Sequence, residues 1–246
     1  MFKVYGPKNP HDQFQDEWLT SDFDKKLKDM KNEKKEIIQV IKKYFTKNDY
    51  LLEAGCGMGQ VVKYYHDMGW NIRGVDFAEQ AIEKIKEFDS ALKVDYGDCT
   101  DLPYADNTFD GYLSFGVIEH MEEGPDAFLK EAYRVLKPTG KALITVPNQE
   151  NFAYFKIYKP EIIKQFTEFF EYGFTRQEFI DALERNGFKV LEIRYHSYFI
   201  PLRQIKIFRG KEEYSLNFLG KIVDRIVSAM NCKKFGWMIG AVVSKK

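Results

Sequence analysis

A glycine-rich turn follows a short apolar segment near residue 50, and these residues are the first that could do chemistry. Tyr50–Leu52 has the length and composition of a buried parallel strand, and Glu53 stands at its carboxyl end, where open α/β sheets bind ligands. Gly55, Gly57 and Gly59 then permit backbone angles and a close ligand approach that a Cβ would obstruct. A predicted helix, Gln60–Met68, directs its first amides into the same crevice.

A second acid occupies the corresponding place on the next strand. Trp70–Val75 is predicted to be a strand that ends at Asp76, about where nucleotide-binding βαβ units place an acid on ribose hydroxyls. Asp76 could instead only cap the predicted helix Glu79–Phe88, since Asp favours helix N-caps. Taken alone, Glu53 could be only a strand-end carboxylate. Together the two acids favour a cofactor that carries a diol and an amino group.

The glycine spacing argues against a nicotinamide dinucleotide. The dinucleotide fingerprint has glycines at its first, third and sixth positions. Counting from Gly55, the sixth position is Gln60. A nicotinamide-dependent oxidoreductase therefore becomes the weaker alternative.

Further motifs follow in order along the chain. Gly97-Asp98-Cys99 follows the predicted strand Leu92–Tyr96, and the run LPYADNTFD comes next, at Leu102–Asp110. The run GVIEHM at Gly116–Met121 follows the predicted strand Tyr112–Phe115. The run KPTGK at Lys137–Lys141 precedes the predicted strand Ala142–Val146. Together with the glycine turn, this series resembles the class I S-adenosylmethionine-dependent methyltransferases, in particular their small-molecule branch. The resemblance is close over about residues 45–147 and loose over about 173–195. Where the family has two glycines after the proline, this chain has Thr139-Gly140, which retains one.

The resemblance implies a role for each matching residue. Glu53 would attract the cofactor's ammonium group, Asp76 would bind both ribose hydroxyls, and Asp98 with the Cys99 amide would recognise adenine. Phe77 would lie along the adenine face, with core packing as its alternative. The remaining members of the implied cofactor site are the glycine turn and the edge under the reactive methyl group: Gly55, Cys56, Gly57, Gly59, Phe115, Gly116 and Val117. For Phe115, core packing is an equal alternative.

The resemblance also implies a Rossmann-like α/β fold with helices on both faces of a seven-stranded sheet. The expected strand order is 3-2-1-4-5-7-6, with the seventh strand, Trp237–Ser244, antiparallel. Residues 1–45 are expected to form an N-terminal helical lid or scaffold, and 46–246 the methyltransferase domain. Two insertions are expected in that domain, an aromatic lid at 147–175 and a helical insertion at 200–234.

An acceptor site is predicted where aromatic residues concentrate after the fifth strand. Nine of them lie between residues 152 and 174: Phe152, Tyr154, Phe155, Tyr158, Phe166, Phe169, Phe170, Tyr172 and Phe174. Most will pack in the core, but the cluster needs a partner surface or an apolar substrate. Tyr154, Tyr158 and the N-terminal Trp18 are the candidate substrate contacts. His120 is the candidate general base, needed only if the acceptor loses a proton, and packing or capping is its alternative.

Composition favours a soluble cytoplasmic enzyme without a metal. The 246 residues are 44% hydrophobic and 30% charged, which excludes a disordered chain, and no apolar run is long enough to span a bilayer. Three dispersed cysteines form neither a disulfide framework nor a metal-ligand spacing. Residues 200–246 are basic, but no nucleic-acid motif accompanies them, so no nucleic-acid partner is expected.

The helix predicted near Leu216–Met230 has one apolar face. Its three interpretations, in order of preference, are a cover over the active site, a dimer contact and docking on a membrane surface. The chain is accordingly expected to be a monomer or a homodimer.

The predicted activity is transfer of a methyl group from S-adenosyl-L-methionine to oxygen, nitrogen or carbon of a small molecule, by in-line displacement (EC 2.1.1). S-adenosyl-L-homocysteine would be the second product. The alternative from another class is a catalytically silent protein that binds the same cofactor.

Overall fold

The computed structural model describes residues 1–10, 12–14, 27, 35–158, 165–210 and 215–246, and its centre is a seven-stranded sheet. The strands that take part are β2 (Leu51–Ala54), β3 (Ile72–Asp76), β4 (Val94–Tyr96), β5 (Phe109–Phe115), β6 (Leu136–Pro147), β8 (Phe188–His196) and β9 (Met238–Lys245). Their order is β4-β3-β2-β5-β6-β9-β8, and β9 runs antiparallel to both of its neighbours. The predicted order and the antiparallel last strand are confirmed.

Helices cover both faces of this sheet. The α-helices are α1 (Lys35–Tyr44), α2 (Gln60–Asp67), α3 (Glu79–Phe88), α4 (Asp126–Val135), α5 (Tyr154–Ile157), α6 (Arg176–Arg185), α7 (Phe199–Leu202) and α8 (Phe218–Ala229). Short 3₁₀ turns form at Ile118–His120 and Lys206–Phe208. The predicted bounds of α3 are matched residue for residue, and most other elements begin and end within one or two residues of the prediction.

The two-residue period of the strands divides the core between the two faces. Leu51 packs into the cluster that includes α1, α2 and α3, whereas the next residue, Leu52, packs into the cluster that includes α4 and α6. Both leucines are fully buried, as expected for a central parallel strand covered on both sides. The helices therefore hold the sheet rigidly and leave its edges and strand ends for ligands.

A second, two-stranded sheet was not expected from the sequence. Strand β1 (Phe2–Gly6) pairs antiparallel with β7 (Glu168–Gly173), within the segment predicted to be an aromatic lid. The N-terminal segment 1–45 is thus not helical throughout. It begins with the strand β1, and its last part forms the helix α1. Local periodicity gives no signal for this pairing, because β1 finds its partner far along the chain.

Helix α8 is present. Val227 of its predicted apolar face is buried in the core and Val223 is half-buried against it, whereas other residues of that face lie exposed in this single chain. Leu219, Ile226 and Met230 are 45%, 53% and 71% exposed. The opposite face is held against α1, where Lys35 forms an ion pair with Asp224. Among the helices of the described residues, none combines the length and the apolar character needed to cross a membrane.

Helix α6 begins with the capping box that the sequence predicts. The Glu178 amide donates to the Thr175 hydroxyl over 3.2 Å, and the Glu178 carboxylate accepts from the Thr175 amide over 2.8 Å. Two backbone donors that the helix leaves without partners are thereby satisfied.

Thr175→Ala is therefore expected to lower the free energy of unfolding by about 0.5–2 kcal/mol, because one capped amide loses its partner. Chemical denaturation monitored by circular dichroism measures the change. Gln177→Ala, one residue into the same helix, is the matched control and should change it by only a few tenths of a kcal/mol, about the value of one exposed pair on a helix. Equal losses in both variants would contradict the capping role.

Candidate active site

The acids and glycines singled out in the sequence meet at one edge of the large sheet. Glu53 lies near the end of β2, Asp76 is the last residue of β3, and Asp98 follows β4. Parallel pairing aligns these strand ends, with Glu53 opposite Gly74 in β3. The structure therefore brings the predicted cofactor residues together in the crevice where open α/β sheets bind ligands.

Backbone hydrogen bonds fix the glycine turn onto β3. The amides of Gly55 and Cys56 both donate to the Val75 carbonyl, over 2.8 and 3.0 Å. Gly55 has φ +75°, and a Cβ there would come within 2.3 Å of Val117 Cγ2. Gly59, at φ +69°, is the N-cap of α2. These positions need glycine, and the turn leads straight into a helix N-terminus that faces the edge.

Asp76 is a buried organiser of this turn. One carboxylate oxygen accepts from the Gly57 amide over 2.7 Å and the other from the Ala78 amide over 3.0 Å. The N-cap of α3 is Ala78, so Asp76 is not the capping residue of that helix. Each oxygen retains a second lone pair, so the carboxylate can still accept a hydroxyl. Burial raises the pKa of Asp76, while the backbone amides that bond to it favour its ionised form.

The turn after β4 presents Asp98 to solvent and buries Cys99. One oxygen of Asp98 accepts from the Thr100 amide and hydroxyl, over 2.7 and 2.8 Å, which fixes the carboxylate at the sheet edge. Burial raises the pKa of both Cys56 and Cys99, so their thiols stay protonated. Neither cysteine is suited to act as a nucleophile.

The remaining predicted cofactor contacts lie on the rim of the crevice. Phe77 and Phe115 are half-buried and pack against the cluster that includes α2 and α3. Gly116, at φ +73°, and the half-buried Val117 follow directly after β5. Glu53 is 2% exposed. Both phenylalanines therefore pack against the core, and their contact with a ligand stays a prediction.

His120 lies in the 3₁₀ turn after β5, beside β7 and away from the glycine turn. Its Nδ1 donates to the Phe170 carbonyl over 2.8 Å, and its ring lies 4.9 Å from the ring of Phe14. Burial lowers the pKa of His120 to about 4, so the imidazole is neutral at pH 7 and its Nε2 is an acceptor. A general base works best with a pKa near the operating pH, so the role predicted for His120 stays a prediction that these values do not favour.

The candidate substrate contacts differ in their surroundings. Tyr154 is fully buried in an aromatic group, 5.0 Å from the Tyr158 ring and 5.5 Å from the Trp237 ring. Tyr158 is half-buried and donates a hydrogen bond to Glu171. Trp18 lies outside the described residues. Phe14, four residues before it, does reach the His120 side of the edge.

Sequence reasoning missed two buried acids beside His120. Glu119 and Glu171 are 1% and 6% exposed, and Glu119 Oε1 lies 4.0 Å from His120 Nε2. Burial raises the pKa of both carboxyls, to about 7 for Glu171. Glu119 was visible only as part of a motif. For Glu171, the available signal was an acid flanked by aromatic residues in the run FFEY.

Comparisons with known proteins agree with this geometry. A family model described as a methyltransferase domain matches residues 52–144. A probable S-adenosylmethionine-dependent methyltransferase of Mycolicibacterium smegmatis is 29% identical over 140 residues, which are 57% of this chain and 52% of that protein. This chain thus spans about half the length of that relative.

An archaeal relative and a solved structure match over more of their length. An uncharacterised protein of Methanocaldococcus jannaschii is 33% identical over 155 residues, which are 62% of this chain and 70% of that protein. The structure of a SAM-dependent methyltransferase from Methanosarcina mazei superposes with a TM-score of 0.61 at 17% identity, covering 84% of this chain and 96% of that one. The fold, the matched domain and these relatives agree: the chain belongs to the class I S-adenosylmethionine-dependent methyltransferase family.

Proposed function

We propose that this protein transfers the methyl group of S-adenosylmethionine to a small-molecule acceptor. The observation that carries the proposal is the alignment of three acids, Glu53, Asp76 and Asp98, on consecutive strand ends around one glycine turn. An ammonium group, a ribose diol and an adenine ring are spaced along one extended molecule. The three acids likewise lie in a row, so each can supply a hydrogen-bond acceptor to one of these three groups.

The carboxylates of Asp76 and Asp98 keep lone pairs that could accept hydrogen bonds from this cofactor. Asp76 holds the turn with one lone pair on each oxygen, and its second lone pairs suit the two ribose hydroxyls. Asp98 engages one oxygen with Thr100 and is exposed at the edge, where it can accept from the adenine amine. The amides that begin α2 would bind the carboxylate of the cofactor's methionine part.

The acceptor would bind on the His120 side. That side is bounded by the 3₁₀ turn at Ile118–His120, by β7, and by Phe14 from the N-terminal segment. Its walls combine aromatic rings with a few polar groups, which is the usual make-up of a small-molecule site. Lys156 is the one basic residue of the segment 147–175 that falls within the described part of the chain, and no cluster of arginines accompanies it in that segment of the sequence.

Methyl transfer mainly requires that the acceptor be held in the correct position relative to the methyl group. The bound cofactor supplies a methyl group already activated on a sulfonium. The chain's contribution is to hold the acceptor in line and to exclude water, and such positioning can lower a barrier by about 7–11 kcal/mol. The rigid, doubly covered sheet provides the fixed half of this arrangement, and the β1–β7 ribbon provides the acceptor half.

Asp76→Asn is expected to weaken S-adenosylmethionine binding by about 10- to 100-fold, because hydrogen bonds from the ribose to a charged acceptor are lost. Asn keeps the size and one acceptor oxygen of Asp76, so the turn should survive better than in Asp76→Ala. The alanine variant leaves the buried Gly57 and Ala78 amides unpaired, which costs about 1–3 kcal/mol each. Calorimetric titration measures the affinity for S-adenosylmethionine, and chemical denaturation measures the stability of each variant. Unchanged affinity in Asp76→Asn would contradict the ribose role.

Asp98→Ala should have a smaller effect on affinity, about tenfold or less, because the Cys99 amide remains to hold the adenine. Asp101→Ala is the matched control, since Asp101 is exposed in the same turn and the variant keeps its backbone hydrogen bond to the Asp98 carbonyl. The same titration compares the two variants. A loss in Asp101→Ala as large as in Asp98→Ala would show that the turn, not the Asp98 carboxylate, matters.

Incubation with methyl-labelled cofactor and fractionated metabolite pools tests the activity itself. Label is expected in a small, partly apolar product, with stoichiometric formation of S-adenosylhomocysteine. Label found only in macromolecules would overturn the small-molecule assignment. Tight cofactor binding without transfer to any pool would favour the silent binding protein, and preferential binding of NAD would favour the oxidoreductase.

A further inference from the structure

The buried acids beside His120 form a cluster to which methyl transfer alone assigns no task. Glu119 and His120 come from the 3₁₀ turn after β5, and Glu171 comes from β7. We propose that Glu119, His120 and Glu171 bind a divalent transition-metal ion such as Mn²⁺ or Zn²⁺. The binding is independent of the proposed methyl transfer, although the ion would sit at the acceptor side of the same edge.

The three side chains have the spacing of a ligand set. One ligand atom from each, an imidazole nitrogen and two carboxylate oxygens, can be chosen so that all lie within 4.8 Å of one another. Glu119 Oε1 and His120 Nε2 are 4.0 Å apart. Metal–ligand bonds of about 2.0–2.2 Å require these atoms to move only slightly inward.

The tautomer of His120 suits metal binding. Its Nδ1 donates to the Phe170 carbonyl over 2.8 Å, so the proton is on Nδ1 and the lone pair of Nε2 faces the cluster. A second-shell hydrogen bond of this kind, from the other ring nitrogen to a backbone carbonyl, is what orients most metal-binding histidines. The same bond joins the turn after β5 to β7, so it also fixes the distance between Glu119 and Glu171.

One carboxylate oxygen of each acid in the cluster lacks a protein partner. Glu119 Oε2 and Glu171 Oε1 are buried and accept no hydrogen bond from any described residue. Nor does a lysine or arginine of the described ranges pair with either carboxylate. Two buried acids side by side with no cation are costly, and a bound cation removes that cost. Tyr158 bonds to Glu171 and would help to orient it.

A second triad in the chain differs, because a lysine already pairs with its acids. His66, Asp67 and Asp89 also lie within the same mutual distance, but Lys63 already pairs with Asp67 at 2.6 Å and with Asp89 at 3.4 Å. The side chain of Asp67 is half-exposed. A cation of the protein therefore neutralises that triad, and it serves as the internal control.

The donor set limits the ion. One imidazole with two carboxylates suits Zn²⁺, Mn²⁺ or Fe²⁺ rather than the all-oxygen sites of Ca²⁺. Three protein ligands leave at least one coordination position for water or an oxygen or nitrogen of a ligand. Gly116 makes room beside the cluster, because a Cβ there would lie only 3.3 Å from Glu119 Oε1.

Titration of the metal-free full chain with MnCl₂, followed by the loss of the free Mn²⁺ signal in electron paramagnetic resonance, tests the proposal. One Mn²⁺ per chain is expected, displaced by stoichiometric ZnCl₂. Glu171→Gln and His120→Ala should each weaken Mn²⁺ binding by about tenfold or more. His66→Ala should leave it unchanged. Melting temperature and S-adenosylmethionine affinity, measured on the same samples, establish that each variant is folded.

Three results would overturn the metal site: no stoichiometric Mn²⁺ binding by the parent chain, full binding in folded Glu171→Gln and His120→Ala, or loss of binding in His66→Ala. Methyl transfer is not used as the readout. Mn²⁺ binding in a protein that transfers no methyl group would therefore reject the proposed function and leave the metal site in place.

Discussion

Parallel pairing of β2 with β3, and of β3 with β4, is the constraint on which the rest of the site depends, since it brings three strand ends to one line. The Val75 carbonyl extends that pairing past the end of β2 by accepting from both Gly55 and Cys56. Asp76 then ties the turn to the start of α3 with two buried hydrogen bonds. The ligand-facing atoms are thus positioned by backbone geometry, which a flexible side chain could not do as rigidly.

The two halves of the site are built in different ways. The half proposed to bind the cofactor consists of consecutive strand–turn–helix units, in which each candidate residue lies close in sequence to the strand that positions it. The half proposed to bind the acceptor joins the turn at His120 to β7 and to the start of the chain, through the Phe170 carbonyl and the ring of Phe14.

This division explains how far the sequence alone could lead. Asp76 and Gly55 were found because their spacing and residue types are local consequences of a βαβ unit, and the bounds of α3 followed from its periodicity and flanking residues. Strand β1 could not be found in this way, since its partner lies beyond five other strands along the chain. Glu171 was missed for the same reason: Glu119 and His120 become its neighbours only when β7 packs against the turn after β5, about 50 residues away along the chain. Tyr154 was selected as a contact residue, but it packs against Trp237, which no local pattern could indicate.

The β1–β7 ribbon has a consequence for the dynamics of the protein. An isolated pair of strands is marginally stable, and this pair joins Phe2 to Gly173 across a very long loop, whose closure is costly. Such a unit opens with less free energy than the doubly covered sheet, and it completes folding after the local units have formed. Strand β7 keeps its own bond to the turn at His120 and buries Phe169 and Tyr172 in the main core, so β1 is the strand that such an opening releases. The start of the chain can thus detach while the large sheet and β7 stay folded, and the strength of this one pairing sets how long β7 stays covered.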